Sequence, residues 1–279
     1  MDVSYSQIRN MTCPIRHYFT LIKDKSTSSF KPITVGHIVH KLYAKALLVR
    51  NFDFYNDTFL TKELHKADKL FLKPTVGPII EQHIHSSVFK KFPKKLKTEQ
   101  QYTVVTNRLP HISEEVHIHN KPDVSFFQKD TATVCEIKTG SYQQYDPLQL
   151  HYYAWGLSLN SNAQHFISKV LYTVSNSIEV VDVMDKDTLQ IRMDRYFDSS
   201  SKAYAHLSIN NITEVASVMP VLIATESPKL TELFNIIHPE QCVSCNSSII
   251  CPAYQKEIIG VFKQRMQNIP ISDVLIQCN

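Results

Sequence analysis

The 279-residue sequence contains no apolar run near the roughly 18 residues that a membrane-spanning helix needs. Nor does it open with the charged, apolar and small-residue succession of a secretory signal. These two absences predict a protein without a membrane segment and, by default, a cytoplasmic one. A third absence is the phosphate loop G-x-x-x-x-G-K-[ST]; helicase motifs are missing with it, so nothing points to an ATP-driven motor. A large excess of either charge sign is missing too, with 30 Lys and Arg against 26 Asp and Glu. A net +4 permits contact with nucleic acid without arguing for it. Six cysteines with no secretion signal read better as metal ligands or buried thiols than as disulfides. What is present, 43% apolar and 20% charged residues, is the composition of a globular protein with one large core or two modest ones.

The most informative stretch is KPDVSFFQKDTATVCEIKTG, from Lys121 to Gly140. It reads as two strands around the polar turn Gln128-Lys129-Asp130. In the second strand, Thr131 to Lys138, alternation puts Glu136 and Lys138 on one face and Cys135 and Ile137 on the other. A hairpin then brings Asp123 beside Glu136. Two carboxylates at close range repel unless a cation lies between them, and hard oxygen donors suit magnesium or manganese. Such an ion lowers the pKa of a bound water, and a neighbouring lysine orients that water or neutralises developing charge. This is machinery for phosphodiester hydrolysis. The competing reading is an Asp123–Lys138 salt bridge with Glu136 solvated on an edge strand.

Along the rest of the chain, Ser4 to Gln7 forms a capping box for a short helix that Pro14 helps to stop. A polar linker, Lys23 to Ser29, precedes a helical stripe over Thr34 to Val49 that carries His37 and His40. Helical patterns follow at Thr61 to Leu72 and Pro78 to Phe92. The run KKFPKKLK gathers five lysines between Lys90 and Lys97, either a phosphate-tracking patch or a solvated loop. Strands are expected at Glu99 to Thr106 and, as one piece containing Asp123, at Val116 to Phe127. Asp146-Pro147 opens a helix that sets Gln149 and Tyr153 one turn apart on the same side, although Tyr153 also suits a core position. A strand pair, Lys169 to Val174 and Ile178 to Val183, turns at Asn176. Helices then run from Asp187 to Pro220, broken by the serine-rich Asp198 to Lys202, and from Pro228 to Ile237. Near the end, Cys242-x2-Cys245-x5-Cys251 supplies three thiolates for one metal centre, with Cys13 as the fourth. Zinc is the rival occupant for four thiolates. Cys135 reads as a small buried apolar residue and Cys278 as a tail thiol.

Taken together, the order P-D, twelve intervening residues, E-I-K-T-G, and then Q-L-H-Y-Y resembles the RecB-like branch of the PD-(D/E)XK nucleases. The opening S-Q-I-R-N-M-T-C-P-I-R-H-Y-F and the late cysteine group are similar to its iron-sulfur members, and in size and simplicity to the fourth CRISPR-associated family. The resemblance implies a restriction-endonuclease-like α/β fold, a mixed central sheet flanked by helices, with the terminal segments joined at a 4Fe-4S cluster. On that pattern residues 1–279 form one nuclease domain, 1–33 and 228–279 its iron-sulfur part, and 50–97 a helical insertion. Asp123, Glu136 and Lys138 become catalytic. G-H-I-V-H matches the G-x-x-x-H motif at Gly36 and His40, which makes His40 a ligand of Mg2+ or Mn2+ alongside Asp123, Glu136 and the carbonyl of Ile137. Gln149 and Tyr153 hold substrate, and Glu99 is a candidate assisting acid. Cys13, Cys242, Cys245 and Cys251 ligate the cluster. The implied activity is cleavage of single-stranded DNA or DNA ends, in CRISPR spacer acquisition beside the integrase complex or in repair and recombination. The alternative from another class is a DNA-binding adaptor that keeps fold and cluster but does not cleave.

Overall fold

The computed structural model describes residues 2–23, 40, 43–48, 90–107, 112, 115–138, 147–173, 175, 177–237, 242, 245, 251 and 252. It is a mixed α/β protein whose chain divides into two compact units. The first comprises Met1–Tyr5, Thr27–Thr106 and Val116–Asp194; the second comprises Ser6–Ser26, Asn107–Glu115 and Arg195–Asn279.

In the first unit, β1 (Asp2–Ser4), β3 (Tyr102–Thr106) and β4 (Val116–Asn120) form a three-stranded sheet in the order β1-β4-β3. A five-stranded sheet runs β2-β5-β6-β7-β8, from β2 (Lys97–Thr98), β5 (Val124–Gln128), β6 (Thr131–Lys138), β7 (His165–Tyr172) and β8 (Ser177–Asp185). Both sheets are mixed: β1 pairs parallel with β4, and β6 parallel with β7, whereas the other pairings are antiparallel. The middle strand, β6, is buried at six consecutive positions, Ala132 to Ile137, because sheet neighbours flank it and both its faces are covered. Helix α3 (Pro147–Leu159) packs on β6 and β7 and also touches β3 and β4. Residues 151–158 are buried without a break, so α3 is an interior helix with no solvent stripe. At the outer side, β8 is an edge strand with Val180 and Val183 exposed.

The expected single strand Val116 to Phe127 is two strands in different sheets, β4 and β5. Pro122 lies in the break and has no N–H to give a ladder, so Lys121-Pro122-Asp123 becomes the crossover. The β5–β6 hairpin closes through Lys129 and Asp130, with Gln128 opposite Thr131 and Lys129 at φ 56°. Glu99 stands before the strand expected to begin there, in the left-handed region at φ 49°. β7 starts four residues earlier than expected, at His165. Strand β1 was not anticipated; three residues give too short an alternation to read.

The second unit holds most of α1 (Tyr5–Met11), then α2 (Pro14–Lys23), α5 (Val215–Ala224) and α6 (Pro228–Glu232), and the last part of α4 (Lys186–His206). Pro14 both ends the first helix and occupies the first position of the next. The core gathers Ile15, Tyr204, Leu207, Val215, Met219 and Leu233, and each such apolar side chain stabilises the fold by about 1.5–3 kcal/mol on burial. The serine-rich break does not occur: α4 is continuous through Asp198 to Lys202. Ser199 Oγ donates to the Tyr196 carbonyl and Ser201 Oγ to that of Phe197, so the hydroxyls bond back onto the helix that carries them. The chain breaks later, after His206, with Ser208 at φ 60°. Helix α5 likewise continues past Pro220. Of the expected helix 34–49, position 40 and residues 43–48 are helical; the patterns at 61–72 and 78–89, the linker to Ser29, the turn at Asn176 and Cys278 lie outside the described residues.

Candidate active site

Four elements of the first unit bring the site together. The antiparallel register that sets Val124 opposite Cys135 places Asp123, one residue before β5, across from Glu136. Asp123 Oδ2 accepts from the Ile137 backbone N–H at 2.7 Å, while its Oδ1 lies 3.2 Å from His40 Nδ1. Along β6, Glu136 and Lys138 project to one side, and Lys138 Nζ donates to Glu136 Oε1 at 3.2 Å. From α3, Gln149 Nε2 donates to Glu136 Oε1 at 2.9 Å and to Tyr153 Oη at 2.9 Å, and the Gln149 carbonyl oxygen lies 3.4 Å from Lys138 Nζ. Tyr153 is at once hydrogen-bonded and core: it is buried, with its ring 5.9 Å from that of Tyr5.

Electrostatics are under tension at one atom. Glu136 is 5% exposed, and its Oε2 is buried with no hydrogen-bond partner. The reading of Glu136 as a solvated edge residue therefore fails. Burial, reinforced by the Asp123 charge, raises its pKa from 4.5 to about 7 against the opposing pull of Lys138 and His40. Burial lowers the His40 pKa, but the hydrogen bond and charge of Asp123, with Glu136 behind, outweigh it and raise the net value. Glu99 donates its backbone N–H to the Asp123 carbonyl, while its carboxylate accepts from Lys121 at 3.2 Å.

The donor set is two carboxylates and an imidazole, with one carboxylate oxygen unpartnered in a low-dielectric position. Hard divalent cations suit such a set. No group of three or more His, Cys, Asp or Glu side chains among the described residues is already arranged to hold a metal ion. The hydrogen bond between His40 and Asp123 and those on Glu136 Oε1 occupy the atoms that an ion would take.

A second cluster lies in the other unit. Cys13, Cys242, Cys245 and Cys251 are all of intermediate exposure. Cys13, Cys242 and Cys251 pack on the same apolar core. Burial pushes the Cys13 thiol strongly up, and charge on Cys251, Cys245 and Cys242 adds to it. Cys242 is raised to about 11 by burial and then by Cys245 and Cys251, with Arg16 opposing. The Cys245 backbone N–H donates to the Cys242 carbonyl, a tight turn between two thiols. Thiols that raise one another's pKa are sites that a metal centre would reverse, since a coordinated thiol is deprotonated.

One cluster in the first unit escaped the sequence reading. His151, 1% exposed on α3, sets Nε2 3.2 Å from Asp182 Oδ2 of β8; Arg192 Nη1 of α4 donates to that oxygen at 2.7 Å and lies 3.1 Å from His151 Nε2. The only signal for it was a histidine two residues from Gln149, and its partners lie 31 and 41 residues away.

No family model matches this chain, and no curated protein matches it. Among solved structures, one called SSO0001 is similar at 15% sequence identity over 91% of this chain and 87% of that chain, with a TM-score of 0.34. No helix among the described residues is long and apolar enough to cross a membrane.

Proposed function

We propose that this protein is a metal-dependent deoxyribonuclease of the RecB-like PD-(D/E)XK type, acting on single-stranded DNA or DNA ends. In this reading the five-stranded sheet is the core of a restriction-endonuclease-like fold, and the second unit carries a 4Fe-4S cluster on Cys13, Cys242, Cys245 and Cys251. The observation that supports it most is the buried, unpartnered Glu136 Oε2 beside Asp123, Lys138 and His40. A buried acid facing a second carboxylate, with its pKa raised to about 7 by burial and that neighbouring charge, is an arrangement that active sites use to hold their acids.

Asp123, Glu136, His40 and the Ile137 carbonyl would hold Mg2+ or Mn2+, which supplies Lewis acidity and a water of lowered pKa. The chain's own groups do the remaining work. The Ile137 N–H fixes Asp123, leaving its Oδ1 directed at His40. Lys138 places an ammonium beside Glu136, where it orients the attacking water and offsets charge that develops on the phosphate oxygens. Gln149 holds Glu136 from α3 and is itself held by Tyr153, so substrate contact by this pair follows an opening of that network.

The test is cleavage of end-labelled single-stranded DNA with Mn2+, with and without chelator. Glu136→Ala and Lys138→Ala are expected to abolish the chelator-sensitive cleavage while the circular dichroism spectrum stays unchanged. Undiminished cleavage in both variants would sink the assignment.

A further inference from the structure

Lys90, Lys91, Lys94, Lys95 and Lys97 are all exposed, and no ion pair ties any of them to an acid among the described residues. Five like charges within eight positions repel one another, and a polyanion relieves that repulsion. The run is not a loose tail. Phe92 in its middle is 5% exposed and packs edge-on to Phe126 of β5, with centroids 6.2 Å apart. Its last lysine belongs to β2, in register with β5.

That register decides where Lys97 points. Lys97 pairs with Ser125 and Thr98 with Val124, and the Glu99 backbone N–H donates to the Asp123 carbonyl. Residues directly opposite in an antiparallel pair share a face, as do residues two apart on one strand. Lys97 and Ser125 therefore lie on the face of Asp123, and so on that of Glu136 and Lys138 across the hairpin. From Asp123 it is two residues along and one strand over, about 8 Å between Cα atoms. A nucleic-acid strand carries one phosphate per roughly 3.4 Å of axis. From Lys138 to Lys97 is four residues along and two strands over, about 16 Å between Cα atoms, so a strand with one phosphate at Lys138 brings another, about five steps on, to Lys97.

We propose that Lys97, followed by Lys95 and Lys94, is a phosphate track for single-stranded nucleic acid, which leaves the carboxylate site over the β2 edge. The track rests on the nuclease reading for its inner end. Its chemistry is contact with successive phosphates rather than bases, so it is indifferent to sequence and sensitive to salt.

The experiment separates the two ideas. With cleavage silenced by Glu136→Ala, a fluorescein-labelled oligothymidylate is titrated and its anisotropy followed at several salt concentrations. Lys97→Glu is expected to raise Kd several-fold. The triple change Lys94→Glu, Lys95→Glu and Lys97→Glu should raise it at least about tenfold and flatten the logarithmic salt slope by about 2. Changing the same three residues to Gln, which keeps β2 free of new charge, should give a smaller loss in the same direction. Lys129→Glu is the same reversal in the exposed turn at the far end of the hairpin, and should leave Kd nearly unchanged. In active protein, Lys97→Glu should raise KM for the oligonucleotide yet spare hydrolysis of bis(p-nitrophenyl) phosphate, which is too short to reach the track. Equal losses at Lys97 and Lys129, an unaltered Kd at Lys97, or competition by polyglutamate as strong as by DNA would overturn the track. Binding with the Lys97 dependence but no cleavage of either substrate would support the track and retire the nuclease reading.

Discussion

Glu136 is held where its charge is least welcome, buried and facing a second carboxylate, and that tension makes a measurable difference to stability. Glu136→Gln keeps the shape and the Oε1 acceptor used by Lys138 and Gln149 while removing the desolvated charge. We expect the metal-free variant to be more stable than wild type at pH 8 by on the order of 1–2 kcal/mol in urea unfolding. Asp182 has the opposite sign. The His151 hydrogen bond, opposed by burial and aided by Arg192, holds its carboxyl below the ordinary 3.8. A depressed folded value gives stability that is complete above the unfolded value and is lost as pH falls through the folded one. The urea midpoint of wild type should therefore exceed that of Asp182→Asn well above pH 3.8, with the gap closing at lower pH. These two acids also mark what a sequence discloses at this scale. Alternation along β6 and a short turn suffice to set Glu136 against Asp123, because local geometry fixes both. His151, Asp182 and Arg192 sit on three elements, and no local pattern joins them.

At the scale of elements, α3 shows how closely a helix can lie on a strand. A Cβ added to Gly156 would stand 2.6 Å from Nδ2 of Asn120, which is wholly buried on β4 with neither amide atom hydrogen-bonded. Gly156→Ala should cost about 1–3 kcal/mol in thermal or urea unfolding despite alanine's better helix propensity. Adding Asn120→Ala should recover most of the loss, a coupling that a double-mutant cycle reads directly. The serine run of α4 makes the converse case. Ser199 and Ser201 bond back to their own helix, whereas Ser200 is buried with an unpartnered Oγ. Ser200→Ala should stabilise by about 1 kcal/mol. Composition suggested a break there because serine usually competes with helix bonding, and tertiary burial overrode it. The division of Val116 to Phe127 between two sheets was hidden for a related reason. Pro122 announces an interruption and the hairpin fixes the partner of the second half, but the sheet that the first half joins depends on β1 and β3, with Val3 more than a hundred residues before its partner Ile118. The helix from Pro147, by contrast, was plain from its cap and its spacing.

For the molecule as a whole, the cysteines of the second unit matter most. A cluster on them would close a loop of more than two hundred residues between Cys13 and Cys242, restricting the unfolded chain by on the order of a few kcal/mol. Cys13→Ser is expected to remove the visible absorbance of anaerobically purified protein and to lower its melting temperature in the same sample. A colourless wild type with iron below stoichiometry would count against the cluster. The tail of the sequence made this group readable by spacing alone, whereas the packing of Cys13, Cys242 and Cys251 on one core is a property of the fold.

The outermost strand of the larger sheet carries a different consequence. β8 presents nine residues of rim, with Val180 and Val183 bare to water, Glu179 just before them, Asp182 between them and Asp185 beyond. Such a rim is a template on which a second molecule can anneal, and the acids on it are the deterrent. Stripped of them, or crowded in acid where they are neutral, the molecules would be expected to zip together into ribbons, so what keeps one copy off another hangs on a few carboxylates along this rim.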